Sequence, residues 1–155
     1  MSAQRQPSAT GRAARFARIV AIGGGLVFLL PGLWAFVAPE SFFENAATFP
    51  PYNEHLIRDI GVFQLGLGSA LALAAFLRDA ILAVLMGASV GAVAHVVAHV
   101  VDRDLGGDPA VDLPAFGIVA LLLIAGALVR SRVSEAGGAS GPATDKGDER
   151  PGGRG

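Results

Sequence analysis

The stretch that most constrains this chain is Ala80 to Val101, AILAVLMGASVGAVAHVVAHVV, 22 residues without a formal charge. As a helix it is ~33 Å long, enough to cross a bilayer core of ~30 Å. Charge-free runs also cover 19–39, 60–77 and 113–129. A soluble four-helix bundle needs a polar face on every helix, and these runs carry no charged face. The sequence therefore predicts an all-α fold, a four-helix transmembrane bundle whose main partner is the lipid bilayer.

Composition agrees with this reading: 52 % of the 155 residues are apolar and 16 % charged. There is no cysteine, so disulfides, thiolate chemistry and cysteine-ligated clusters are excluded. A net charge of −1 gives no case for a nucleic-acid partner.

The expected organisation is a basic disordered arm over 1–15, a bundle over 16–132 and a disordered tail over 133–155. The spans are expected at about 16–37, 54–77, 80–101 and 113–129. The first run is too long for a signal-peptide core, and bulky Phe36 stands where a cleavage site wants a small residue. Between spans one and two, Pro39-Glu40 suits a helix start, and Phe42, Phe43 and Phe49 suit a short surface helix. Asn53 is a good N-cap, with Glu54 in the first turn behind it. Arg78-Asp79 is a minimal turn, with Asp79 placed to cap the third span, so spans two and three are expected as antiparallel neighbours. Asp112 is placed to cap the fourth span, with Pro114 in its first turn.

Arg5, Arg12, Arg15 and Arg18 lie ahead of the first charge-free run, and Arg130 and Arg132 follow the last. The 38–55 loop has no basic residue and the 102–112 loop has one. The positive-inside rule therefore puts both termini in the cytoplasm. The basic arm also suits anionic lipid.

That topology expects a polar cluster at the outer face: Asn53, Glu54, His55, Arg58, Asp59 and Gln64 on span two, with His95 and His99 on span three. Histidines four apart on a helix can share one ion. His95 and His99, with His55 and Asp59 also four apart, are thus a candidate site for a divalent metal such as zinc. The alternative is that these groups satisfy one another in packing, with Asp59 the expected partner of His95. Proton relay or quinone contact is a third reading. His95-Val96-Val97-Ala98-His99 lacks the glutamate of the HExxH protease motif. Asp102-x-Asp104 lacks the further oxygen ligands of a calcium loop. Ala83, Gly87 and Gly91 form a small-residue stripe expected to face another helix, within the chain or across a homo-oligomer.

Asn53-Glu54-His55-Leu56 and Arg58-Asp59-x-Gly61, with the preceding APESFF and the paired histidines, resemble small bacterial four-helix membrane proteins of the DoxX-like kind. The resemblance covers about 16–130. It implies a multi-pass protein of the bacterial plasma membrane, linked to quinone or sulfur redox systems through a partner subunit. The residues themselves give no complete catalytic motif. They fit best a non-enzymatic subunit or small-molecule-binding component. The alternatives are a metal-binding or quinone-linked redox subunit and a small transporter, the last disfavoured by the lack of an inverted repeat.

Overall fold

The structure, a computed structural model, describes residues 8–77 and 79–138. Five helices follow one another: α1 (Ala9–Val37), α2 (Pro39–Asn45), α3 (Glu54–Ala74), α4 (Ile81–Val101) and α5 (Pro109–Gly138). All but α2 are long and apolar enough to cross a membrane. Large side chains point outward along them: Phe63 is 79 % exposed, Val90 71 % and Leu121 68 %. Water would oppose so continuous an apolar surface, whereas lipid solvates it. The chain is a multi-pass α-helical membrane protein.

Helix ends follow local chemistry. The Asn53 side chain accepts a hydrogen bond from the Leu56 N–H at 3.1 Å, capping α3 as expected. Pro39 opens α2, with Glu40 in its first turn. Phe42 is buried with Ala35 and Ile57, so α2 is docked on α1 and α3. The Trp34 indole N–H donates to the Ser41 hydroxyl at 3.3 Å, and its ring meets Phe42 edge-on at 5.5 Å.

Other boundaries differ from expectation. The helix of the first span begins at Ala9, where the Ser8 hydroxyl accepts from the Gly11 N–H at 3.2 Å. The basic arm is therefore helical over Arg12 and Arg15. The last helix begins at Pro109, before Asp112. The Asp108 carboxylate accepts from the Ala110 N–H at 3.0 Å, while the Asp112 carboxylate accepts from the Asp108 N–H at 2.9 Å. An Asp-Pro pair presets a helix start, and it wins over the later Asp112-x-Pro114 pair. The same helix runs on to Gly138, past the expected start of the tail. Asp79 does not cap α4, whose first residue follows Ala80 without a side-chain cap. Arg5, Arg78 and the tail from 139 lie outside the described residues.

The pairing of helices also departs from the reading of the sequence. The main partner of α3 is α1, and that of α4 is α5; α1 also packs on α5, while α3 and α4 meet only slightly. Glycine explains the preference. A Cβ on Gly25 would lie 3.0 Å from the Gly68 carbonyl oxygen. A Cβ on Gly61 would lie 2.8 Å from that of Gly32. The two backbones touch at two levels, an antiparallel crossing that a short turn between α3 and α4 cannot outweigh. The core beside it holds Ala17, Ala21, Leu71, Leu85, Leu123 and Ala127.

The expected packing role of Ala83, Gly87 and Gly91 within the chain is overturned. A Cβ on Gly87 or Gly91 would have nothing within 4 Å, and all three residues are exposed. The buried face of α4 is Ile81, Leu85, Ala88, Ser89 and Ala92. That face brings leucine and isoleucine to fill the core, which the small stripe cannot do. The Ser89 hydroxyl is satisfied by donating to the Leu85 carbonyl at 2.7 Å.

Candidate functional site

The end of the bundle where α3 begins and α4 ends holds two separate polar groups. The first is the start of α3. Arg58 pairs with Glu54 at 2.6 Å and His55 with Asp59 at 3.4 Å, each one helical turn apart. These side chains are largely exposed. Asn53 is engaged in capping. Gln64 sits deeper, at the crossing of α1 and α3, where a Cβ on Gly32 would lie 2.9 Å from its own Cβ.

The second group is built by α4, α5 and the segment before α3. The tight turn over 102–108 returns the chain so that the first turns of α5 lie beside the last turns of α4. His99 Nδ1 is 3.7 Å from the Asp112 carboxylate, and both side chains are well shielded, 15 % and 18 % exposed. At that distance the contact is an ion pair when His99 is protonated, and too long for a good hydrogen bond. Phe116, one turn beyond Asp112, lies 4.4 Å from the His95 ring and 4.7 Å from that of His99. The imidazoles are 4.8 Å apart, and Phe49 closes on His99 edge-on at 5.8 Å.

Two glycines make this closure possible. Gly107 has φ +74°, and a Cβ there would lie 2.7 Å from the Asp112 carboxylate and 3.0 Å from the Phe49 ring. Gly106 has φ +151°, and a Cβ there would collide with the Thr48 carbonyl. The Gly107 N–H donates to that carbonyl at 3.3 Å. Only glycine combines the positive φ with this close approach.

The expected pairing of His95 with Asp59 is therefore replaced by a cluster with Asp112 and Phe116. The cause is the helix pairing: α4 turns its histidine edge to α5, while α3 docks on α1. The four candidate metal ligands separate into two pairs, His55 with Asp59 and His95 with His99. Among the described residues, no group of three or more histidine, aspartate or glutamate side chains could hold a metal ion. The donor set for zinc, four ligands in closed sites and three in catalytic ones, is not assembled.

Asp112, Phe116 and Phe49 were not singled out as site residues by the sequence. A signal for two of them existed. Asp112 and Phe116 are one turn apart at the start of a helix that a short Gly-Gly turn folds back on the histidines. Phe49 gave no comparable signal, because its contact depends on the path of a loop.

The cluster is graded from shielded to open. Asp112 and His99 form its protected side, while His95 is exposed and makes no hydrogen bond among the described residues. Such an arrangement can hold a hydrogen-bonding ligand at His95, or move a proton along the line from Asp112 through His99. Neither a family model, nor a curated protein, nor a solved structure matches the chain.

Proposed function

We propose that the chain is a non-enzymatic component of the bacterial plasma membrane that binds a small lipid-soluble molecule at its outer face. The observation that carries the reading is His95, open on the bundle surface, without a hydrogen-bonding partner among the described residues, and backed by Phe116 and His99. An imidazole at that depth, ~9 Å from the helix end, is costly to leave unpaired in hydrocarbon. A ligand oxygen arriving through the bilayer would satisfy it, and the aromatic rings would pack against the ligand's apolar body. The arginine distribution supports cytoplasmic termini, which puts the cluster on the outer side. The resemblance carried by Asn53-Glu54-His55-Leu56 and Arg58-Asp59-x-Gly61 supports the bacterial membrane and a partner subunit.

A second reading is a quinone-linked redox subunit. It is favoured by the flat ring surfaces of Phe116 and Phe49 beside two imidazoles, which suit a planar headgroup with carbonyl oxygens. The zinc form of a redox site is set aside because its donors stand apart. Transport finds no support in broken helices: α1 continues unbroken through Pro31.

The test is solvent extraction and mass spectrometry of the chain purified in mild detergent. A small lipophilic molecule should be present at close to one per chain. His95→Leu should remove it, His95→Asn should retain part, and His55→Leu should retain all. An equal content in wild type and His95→Leu would overturn the proposal. Titration with a short-chain benzoquinone separates the two readings, since only the second expects it to occupy the His95 site.

A further inference from the structure

The inner end of the bundle carries a second surface, of opposite charge to the first. We propose that the paired ends of α1 and α5 form a docking surface for the headgroups of anionic phospholipids in the surrounding leaflet.

The helical start of α1 at Ala9 is what creates the surface. It sets Arg12, Arg15 and Arg18 three residues apart, on one side of the helix within ~120°. The charge-free run of α1 begins at 19, so Arg18 stands at the rim of the hydrocarbon. Arg15 then lies ~6 Å and Arg12 ~10 Å beyond that edge. The headgroup layer extends ~5–8 Å beyond the core on each side, so Arg15 stands at phosphate level.

The end of α5 stands at the height of this stripe but packs on another face of α1, the one that carries Ala9, Ala13, Ala17 and Val20. A Cβ on Gly126 would lie 2.8 Å from Val20 Cγ1, which fixes the height of α5 against α1. The charge-free run of α5 ends at 129, and Arg130 and Arg132 follow. Between the two ends lies an open cleft of about 290 Å³, lined by Ala9, Thr10, Ala13, Val129, Arg132 and Val133. Its floor is small and mostly apolar, suited to the glycerol and ester region of a lipid, with a guanidinium at the side. Guanidinium and phosphate match in geometry as well as charge.

Charge complementarity singles out an anionic lipid. Against these five arginines, the described residues at this end offer only the acids Asp79 and Glu135. Arg15, Arg18 and Arg132 are exposed and form no ion pair with any described residue. At the other end eight acids, Glu40, Glu44, Glu54, Asp59, Asp102, Asp104, Asp108 and Asp112, face only Arg58 and Arg103. A zwitterionic headgroup gains little from such a field, whereas an anionic one gains from each arginine at the surface.

The test uses the full chain in mild detergent with equal amounts of phosphatidylglycerol and phosphatidylcholine, read by native mass spectrometry. Each arginine at phosphate level is expected to be worth roughly a fivefold preference for the anionic lipid. Wild type should therefore carry phosphatidylglycerol at least fivefold over phosphatidylcholine. The R15Q/R18Q/R132Q variant should lower the ratio at least fivefold, while the R58Q/R103Q variant at the other end should leave it unchanged. If the triple variant loses its helical circular dichroism, the single variants R15Q, R18Q and R132Q replace it, each expected to lower the ratio. A wild-type ratio near one, a ratio that survives the inner-end substitutions, or an equal fall in R58Q/R103Q would overturn the proposal.

Discussion

The glycines of the α1–α3 crossing and those of α4 are alike in sequence and opposite in the fold. Gly25, Gly32, Gly61 and Gly68 sit where two backbones touch, and an added Cβ at any of them would meet neighbouring backbone at 2.8–3.0 Å. Gly87 and Gly91 occupy a helix of equal apolar character and look out on open space. Gly87 also borders an open apolar groove of about 350 Å³ between α4 and α5. A small residue allows close approach; it does not cause it. Close approach requires a second stripe of small residues on the facing helix, at matching height. Gly25 and Gly32 find that stripe in Gly68 and Gly61, whereas α5 presents Leu123, Ile124 and Ala127 to α4's side of the bundle.

The largest effect that tests this contrast is at Gly61 or Gly68. Gly61→Ala must push apart the α1 and α3 backbones, since the neighbours are the Gly32 carbonyl and the Phe36 N–H, both 2.8 Å away. Loss of about 1–3 kcal/mol is expected from overpacking of this kind. It would be read as a lower midpoint of denaturant unfolding in mixed micelles. A midpoint equal to wild type would mean that the helices have room the structure denies them.

An intermediate effect is expected at Gly126, where the contact is a side chain, Val20 Cγ1 at 2.8 Å. Valine is stiff at χ1 and cannot turn aside freely. Gly126→Ala should therefore cost about 1 kcal/mol, the low end of the overpacking range. Val20→Ala in the same chain should recover part of that loss, and failure of this rescue would place the strain elsewhere.

The smallest effect has the opposite sign. Gly91→Ala adds a methyl group in open space and removes the helix cost of glycine, so stability should rise by up to about 1 kcal/mol. A fall would show that a second copy or a partner covers the stripe. Size-exclusion chromatography with light scattering on both variants would reveal which, because only self-association changes the mass.

The polar residues repeat the lesson. Interactions one turn apart on a single helix were legible in the sequence: Asn53 as cap, His55 with Asp59, and the shared edge of His95 and His99. Partners across helices were not. The histidine edge of α4 meets Asp112 and Phe116 instead of Asp59, because the glycine faces of α1 and α3 outweigh the short turn between α3 and α4. The turn over 102–108 links α4 to α5 just as directly, and it had equal claim to supply the partner.

The sequence by itself determined what depends on one helix at a time. Four charge-free runs specify four spans, because transfer of apolar side chains into lipid is nearly additive along a segment. Asn53 and Pro39 mark their helix starts, because capping is a local hydrogen-bonding matter. The unequal share of arginine between the ends likewise needs no tertiary information. The tertiary structure alone decided which helices pair, which glycines are buried and which carboxylate meets the histidines. In lipid the apolar faces compete for partners without a hydrophobic preference, so small differences in shape and backbone approach choose among them. Those differences belong to pairs of faces, and no single stretch of sequence contains them.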